Sequence, residues 1–498
     1  MTQPWQIEGF LEVRNNQLHI DGVNAVELAR DHGTPLFVFS ESRIRRNIER
    51  LRKSASVIDC PLKLCYAAKA MSTMGILRAI RDAECDIEVN SGGELWKALK
   101  AGFAGDQIIF NGTSKEIWEI ELAIENSIYA IQVDSLYELS LIEETAKRLG
   151  KKANVSLRLV PEIETSTHSA LQTALLTSKF GMMPDEAFEA FRKYKDSPHL
   201  DLCGIHLHIG SQNPEAHAYA DAFEMLFESM FQICNESGIR LKHINLGGGF
   251  PINYLPEGSQ RASFLSGQRE MFAAEFEPSD AVREAWNLVK TIAIDTNAAD
   301  LLDGLTLLLE PGRSIIADAG ICLTTVRNAK QRPVAESSPP YKGGVDAALA
   351  DGVVLSQSVP DEARVPNLDH WLLTDVGFNN LLSTATYKWY YHLISAERAG
   401  EDHATPYKLA GPLCDGGDVY FDVEGKKRLP DHRLLPENVK PNEILAFLNA
   451  GAYTLAQESQ YNGRFLPPVI LVRKNGDVEL MRNRETFEDL VPRDVLSQ

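Results

Sequence analysis

Lys69 closes the run Pro61-Leu62-Lys63-Leu64-Cys65-Tyr66-Ala67-Ala68-Lys69, which reads as a buried strand. An amine at the end of such a strand is placed to form a Schiff base. Partial desolvation lowers an ammonium pKa, so the expectation is an amine freed for nucleophilic work. Five other segments carry complementary chemistry. Glu88 opens Glu88-Val89-Asn90-Ser91-Gly92-Gly93-Glu94 and offers an acid to the lysine, although the same stretch reads as a helix start capped by Ser91. His206 and His208 share one strand face in His206-Leu207-His208-Ile209-Gly210-Ser211-Gln212. That pair suits metal ligation, half-buried core, or an imidazole laid flat on an aromatic ring, and Ser211 offers a hydroxyl to a phosphate.

Leu246-Gly247-Gly248-Gly249-Phe250-Pro251 leaves backbone amides uncovered for a phosphate. Glu310-Pro311-Gly312-Arg313 supplies a carboxylate able to hold a pyridinium nitrogen protonated, and a guanidinium fork for phosphate or carboxylate. Gly411-Pro412-Leu413-Cys414-Asp415-Gly416-Gly417-Asp418 puts a thiol and two carboxylates in one Gly-rich turn, and Gly451-Ala452-Tyr453 follows. Cys414 could pass a proton, Asp415 could hold a substrate ammonium, and Tyr453 could reach a phosphate oxygen. A buried thiol, turn-forming acids and a packed ring are the alternatives.

The hydrophobic rhythm supplies a frame for these groups. Apolar runs at 62–67, 85–89, 107–110, 129–132, 154–159, 202–207, 243–246 and 305–310 alternate with helical patterns such as 92–102, 115–124, 136–149, 184–193 and 217–237. Eight such runs predict a (β/α)8 barrel over residues 41–313, with a doubly wound open sheet as the alternative. Each motif between 62 and 313 follows a strand, the end where barrel enzymes keep their chemistry. Residues 1–40 read as short strands around a helix over 23–32, and 314–498 as mainly β, with strands in 314–327, 371–375, 443–448 and 467–472. The two together predict one β domain. Stretches 252–268 and 332–366 read as loops or insertions.

Taken in order, Tyr66-Ala67-Ala68-Lys69-Ala70, the His206–Gln212 run, Gly247–Pro251, Glu310–Arg313, Gly411–Asp418 and Gly451–Tyr453 resemble the motifs of the fold-type III pyridoxal-phosphate-dependent amino-acid decarboxylases. The group includes diaminopimelate, ornithine and arginine decarboxylases, and the likeness runs from about residue 8 to 490. It implies pyridoxal 5'-phosphate on Lys69, with Glu88 beside it, His208 stacked on the ring and Glu310 at the ring nitrogen. Ser211, Gly248, Gly249 and Tyr453 would hold the phosphate, with Arg313 near it or near the substrate. Arg313, Asp415, Tyr387 and Asp418 would meet the amino acid. The family is a homodimer with shared active sites, so Cys414 and Asp415 would serve the partner's cofactor.

The branch most similar overall is that of diaminopimelate decarboxylases, which implies conversion of meso-diaminopimelate to L-lysine. Two places depart. Ser383, in Leu382-Ser383-Thr384-Ala385-Thr386-Tyr387, stands where that branch has a carboxylate-clasping arginine, and Asp415 stands where it has glutamate. These departures resemble an ornithine- or lysine-type decarboxylase making a diamine, whereas on the diaminopimelate reading Arg364 or Arg398 would substitute for the missing guanidinium. A catalytically inactive regulatory relative is the reading from another class, opposed by the survival of Lys69, Glu310, the glycine run and Cys414.

Bulk properties exclude other classes. A formal charge of -19 opposes nucleic-acid binding, and no apolar stretch is long enough to span a bilayer. The N-terminal residues lack the basic start and apolar core of a signal peptide. Seven scattered cysteines with no Cys-x-x-Cys pair predict reduced thiols, a cytoplasmic setting and no metal site.

Overall fold

The computed structural model describes residues 3–160, 178–254, 272–274, 276–333, 368–426 and 428–495. Three antiparallel strands, β1 (Leu11–Arg14), β2 (Gln17–Ile20) and β3 (Val23–Asn24), lead into α1 (Ala25–His32). β4 (Leu36–Ser40) follows, buried along its whole length. Its last residue, Ser40, caps α2 (Glu41–Arg52) by accepting a bond from Arg43 N at 2.9 Å. One hydroxyl thus turns strand into helix at the entrance to the barrel.

Eight parallel strands then close on themselves: β5 (Leu62–Ala67), β6 (Asp86–Val89), β7 (Ile108–Phe110), β8 (Ala130–Val133), β9 (Ala153–Arg158), β10 (Leu200–His206), β11 (His243–Asn245) and β12 (Thr306–Leu309). β12 pairs back onto β5, which rules out the open sheet. Each strand lies within a residue or two of its predicted bounds. The intervening helices include α3 (Met74–Asp82), α4 (Gly92–Ala101), α5 (Ile117–Glu125), α6 (Leu136–Leu149), α7 (Pro184–Tyr194) and α8 (His217–Ser237). α4 and α6 each start on a serine cap, Ser91 or Ser135, and stop at a left-handed glycine, Gly102 or Gly150.

Strand alternation sets the inner face. Leu64 and Tyr66 join the large outer core, whereas Cys65, Ile109 and Leu308 form a separate small cluster. Two residues further along those same three strands come Ala67, Asn111 and Glu310, all at the cavity described below. The polar groups of the barrel mouth are therefore continuations of inward-facing rows.

The remaining strands are β13 (Gly320–Pro333), β14 (Leu368–Thr374), β15 (Leu393–Ser395), β16 (Thr405–Ala410), β17 (Arg433–Leu435), β18 (Ile444–Phe447), β19 (Val469–Val472) and β20 (Val478–Arg482). β13 is the spine, antiparallel to β4, β14 and β18. β4 also pairs in parallel with β19, so an N-terminal strand sits inside the C-terminal sheet. β1–β3 form a small sheet of their own and share an apolar cluster with it, Leu18 and Ile20 meeting Val38, Ile321 and Ile470.

The expected strand over 314–327 needs correction. Arg313–Ile316 is a helical turn, followed by a tighter turn over Ala317–Ala319. Asn47 donates to Asp318 at 2.6 Å and to the Ile315 carbonyl at 3.0 Å, which fastens this turn to α2. The predicted insertions at 252–268 and 332–366 lie almost wholly outside the described residues.

Candidate active site

The strand ends enclose a cavity of about 450 Å³. Lys69 enters it from the turn Ala68–Ala70, directly after β5. That turn is held from both sides: Ala67 N donates to the Pro311 carbonyl at 3.1 Å, and Tyr453 N to the Ala70 carbonyl at 2.9 Å. Burial acts to lower the Lys69 pKa, but Glu88, Tyr453 and Glu310 outweigh it and raise the value above that of an ordinary lysine. The expectation of a pKa lowered by desolvation is thus corrected. The surrounding groups keep the free side chain an ammonium.

Glu88, fully buried at the end of β6, accepts a bond from Asn111 Nδ2 at 2.7 Å. Its carboxyl is pushed up to about 7, first by burial and then by Glu310 and Glu94, with Lys69 opposing. Near neutral pH it therefore carries a proton much of the time, and it does not draw one from the more basic Lys69. Glu310 behaves in the opposite way. It accepts from Asn245 Nδ2 at 2.7 Å and Asn111 Nδ2 at 2.9 Å, and His206 Nε2 lies 3.4 Å away. Burial alone would raise its pKa, but His206, Asn245 and Lys69 hold it well below the usual carboxylate value.

His208 Nδ1 accepts from Gly248 N at 3.1 Å, which assigns the ring proton to Nε2. Burial, then Lys69 and Arg158, push its pKa far down, so the ring is a neutral imidazole. The glycine run approaches it closely. A Cβ at Gly247 would lie 2.7 Å from His208 Nδ1, and one at Gly248 would lie 2.3 Å from the Glu310 carbonyl oxygen. At Gly249, φ is +92° and a Cβ would meet the Gly210 carbonyl oxygen at 2.4 Å. No side chain fits on this wall, so bare backbone faces the cavity.

Arg313 completes the rim. Its Nε donates to Ser211 Oγ at 3.2 Å and its Nη1 to Tyr254 Oη at 2.9 Å. The guanidinium carbon lies 4.4 Å from the centre of the Trp389 ring and 4.7 Å from that of Tyr453. Three aromatic rings therefore fix its orientation.

The structure thus gathers Lys69, Glu88, His208, Ser211, Gly248, Gly249, Glu310, Arg313, Tyr387 and Tyr453 at one mouth. It leaves Cys414 and Asp415 on an exposed loop, away from the residues lining this cavity. Asp418 is corrected from a substrate ligand. It is buried, and its two oxygens accept from Phe378 N and Leu413 N, each at 2.8 Å, which braces that loop. Ser383 does line the cavity, 3.4 Å from Gln457 Oε1. Arg398 is no substitute for the missing arginine, since it is paired with Glu443 and Glu401. Arg364 lies outside the described residues. The sequence reading passed over Asn111, Arg158, Asn245, Tyr254 and Trp389. For Asn111 a signal existed: it follows a strand end, as Lys69 does.

A pyridine aldehyde bearing a phosphate finds a counterpart here for each of its parts, and fold and site together define a barrel-type pyridoxal enzyme. The family of pyridoxal-dependent decarboxylases, through its pyridoxal binding domain, matches residues 41–317. The diaminopimelate decarboxylase of Methanocaldococcus jannaschii is 30% identical over 98% of this chain and 97% of its own length. That of Aquifex aeolicus is 31% identical, over 97% and 96%. A crystal structure of the M. jannaschii protein superposes with a TM-score of 0.80 at 29% identity, covering 98% of both chains. The chain belongs to the pyridoxal-dependent decarboxylases. It is a carboxy-lyase that uses pyridoxal 5'-phosphate on an amino-acid substrate.

Proposed function

We propose that this enzyme decarboxylates meso-diaminopimelate to L-lysine. The observation that carries the reading is the near-complete alignment with diaminopimelate decarboxylases, at about 30% identity. A structure of the M. jannaschii relative in co-complex with L-lysine superposes with a TM-score of 0.79. The cavity charge agrees. Among its described lining residues, Lys69, Arg158, Lys179 and Arg313 are cationic and Glu310 alone is a carboxylate. Such a lining suits a ligand with more than one anionic group.

When bound, the cofactor supplies the electron sink for the breaking carbon–carbon bond. Lys69 would anchor it, with Glu88 beside the lysine. Ionised Glu310 would hold a proton at the ring nitrogen, and neutral His208 would lie against the ring without adding charge. Backbone at Gly248 and Gly249, Ser211, Tyr453 and Arg313 would hold the phosphate. Cys414 of a second copy returns a proton to the substrate carbon, and its Asp415 faces the distal ammonium. The enzyme works as a homodimer. A cytoplasmic location accords with seven free cysteines, and no described helix is long and apolar enough to cross a membrane.

The second reading, a diamine-forming decarboxylase, rests on Ser383 in the cavity wall with Arg398 engaged elsewhere. Product analysis separates the two. Incubation with diaminopimelate, L- and D-lysine, and L- and D-ornithine is expected to give lysine from diaminopimelate alone. Cadaverine or putrescine as the main product overturns the assignment.

A further inference from the structure

Asn111 stands at the end of β7, buried, two residues beyond the inward-facing Ile109. Its carboxamide has two N–H bonds, and both go to acids. Nδ2 donates to Glu88 Oε1 at 2.7 Å and to Glu310 Oε2 at 2.9 Å. Asn111 Oδ1 and Glu88 Oε2 are buried with no hydrogen-bond partner. The amide orientation follows from the acids, because a flipped group would turn its oxygen toward two acceptor oxygens. The side chain bridges β6 to β12, across the position of β5 in the barrel order.

Two carboxyls that share one nitrogen in a buried site cannot both ionise cheaply, and one of them keeps a proton. Glu88 is faced by Lys69 from the end of β5, Glu94 from α4 and Arg158 from β9. Glu310 is faced by His206 at the end of β10 and His208 just beyond it, His243 from β11, Cys65 from β5, Lys69 from the turn after β5, and Arg158. The cations and Asn245 favour ionised Glu310, which leaves Glu88 as the carboxyl that holds the proton.

We propose that Asn111 is a positioning residue: its non-titrating amide yokes Glu88 and Glu310 into one unit, so that their shared proton resides on Glu88 and Glu310 stays ionised for the ring nitrogen. The inference rests on the assignment of Glu310 to that nitrogen and is independent of which amino acid is decarboxylated.

Asn111→Asp is the informative change, since it keeps the shape, adds a third carboxyl and removes both donors. In the holoenzyme, the pH titration of the bound cofactor's absorbance is expected to move up by about one unit. At pH 8 kcat is expected to fall on the order of 10²-fold, with little change in KM. Thermal stability supplies a readout separate from activity. A buried acid with a raised pKa holds its proton in the folded state after the unfolded state has lost it. Stability therefore falls as pH rises between the two values, and the Tm deficit grows from pH 5 to pH 8.

Adding Glu88→Gln to Asn111→Asp exchanges amide and acid between the two positions, restores two carboxyls and is expected to reverse most of the pH-dependent loss. A merely structural role predicts a near-neutral, pH-independent effect of the isosteric change and no rescue. Where Asn111→Asp does not fold, Asn111→Ala reads the same coupling through a smaller upward shift of the absorbance titration. A wild-type titration in the folded Asp variant, or in the Ala variant where Asp fails, overturns the proposal.

Discussion

Lys69→Ala abolishes decarboxylation, with a loss of at least about 10⁴-fold in kcat. It also removes the absorbance of lysine-bound cofactor, and borohydride no longer fixes the coenzyme to the chain. Two other lysines lie close enough to be rivals. Lys115 is buried, but its ammonium already donates to the Gly112 carbonyl at 2.7 Å, the Gln132 carbonyl at 2.8 Å and Glu138 Oε1 at 2.6 Å. Its three protons are in use. Lys179 lines the cavity but is exposed. Lys69 instead faces two buried acids, Glu88 and Glu310, which act on its charge. Lys179→Ala is therefore expected to keep the absorbance that Lys69→Ala loses. Retained absorbance in the Lys69 variant refutes the assignment.

The barrel was legible because its rhythm is local. Apolar runs separated by helical periods report strand and helix irrespective of what packs against them. Strand ends then pointed to Lys69, Glu88, His208 and Glu310. Asn111 obeys the same rule, yet asparagine after a strand also reads as a turn residue, and nothing local distinguishes the two. Its partners come from β6 and β12, far apart in the chain. Tyr254 and Trp389 were out of reach for the same reason, since each gains meaning only from the guanidinium it touches. The Lys69 pKa illustrates the limit of local reasoning. Burial was foreseeable from the run before it, but the sign of the shift depends on charges that only the closed barrel brings together. Asp418 went wrong in the other direction. An acid in a Gly-rich turn can serve a ligand or the turn itself, and two backbone amides captured this one.

The loop that Asp418 braces leads to the second prediction. Cys414 N donates to Asn462 Oδ1 at 2.6 Å, and Arg464 Nη2 to the Pro412 carbonyl at 2.9 Å, so the loop is rigid although its tip is exposed. This loop presents a thiol and an acid to solvent, while the described lining of the cavity has no thiol and Glu310 as its one carboxylate. Sharing across the proposed symmetric dimer would resolve the mismatch. Lys69→Ala and Cys414→Ala are each expected to be nearly inactive alone. Mixed in equal amounts and allowed to exchange subunits, they recover about a quarter of wild-type activity, because half the dimers are hybrids and each hybrid owns one intact site. If each site drew its cysteine from its own chain, no hybrid would contain a complete set and mixing would restore nothing. Absence of recovery despite demonstrated subunit exchange therefore returns Cys414 to its own subunit and removes the physical reason for the dimer.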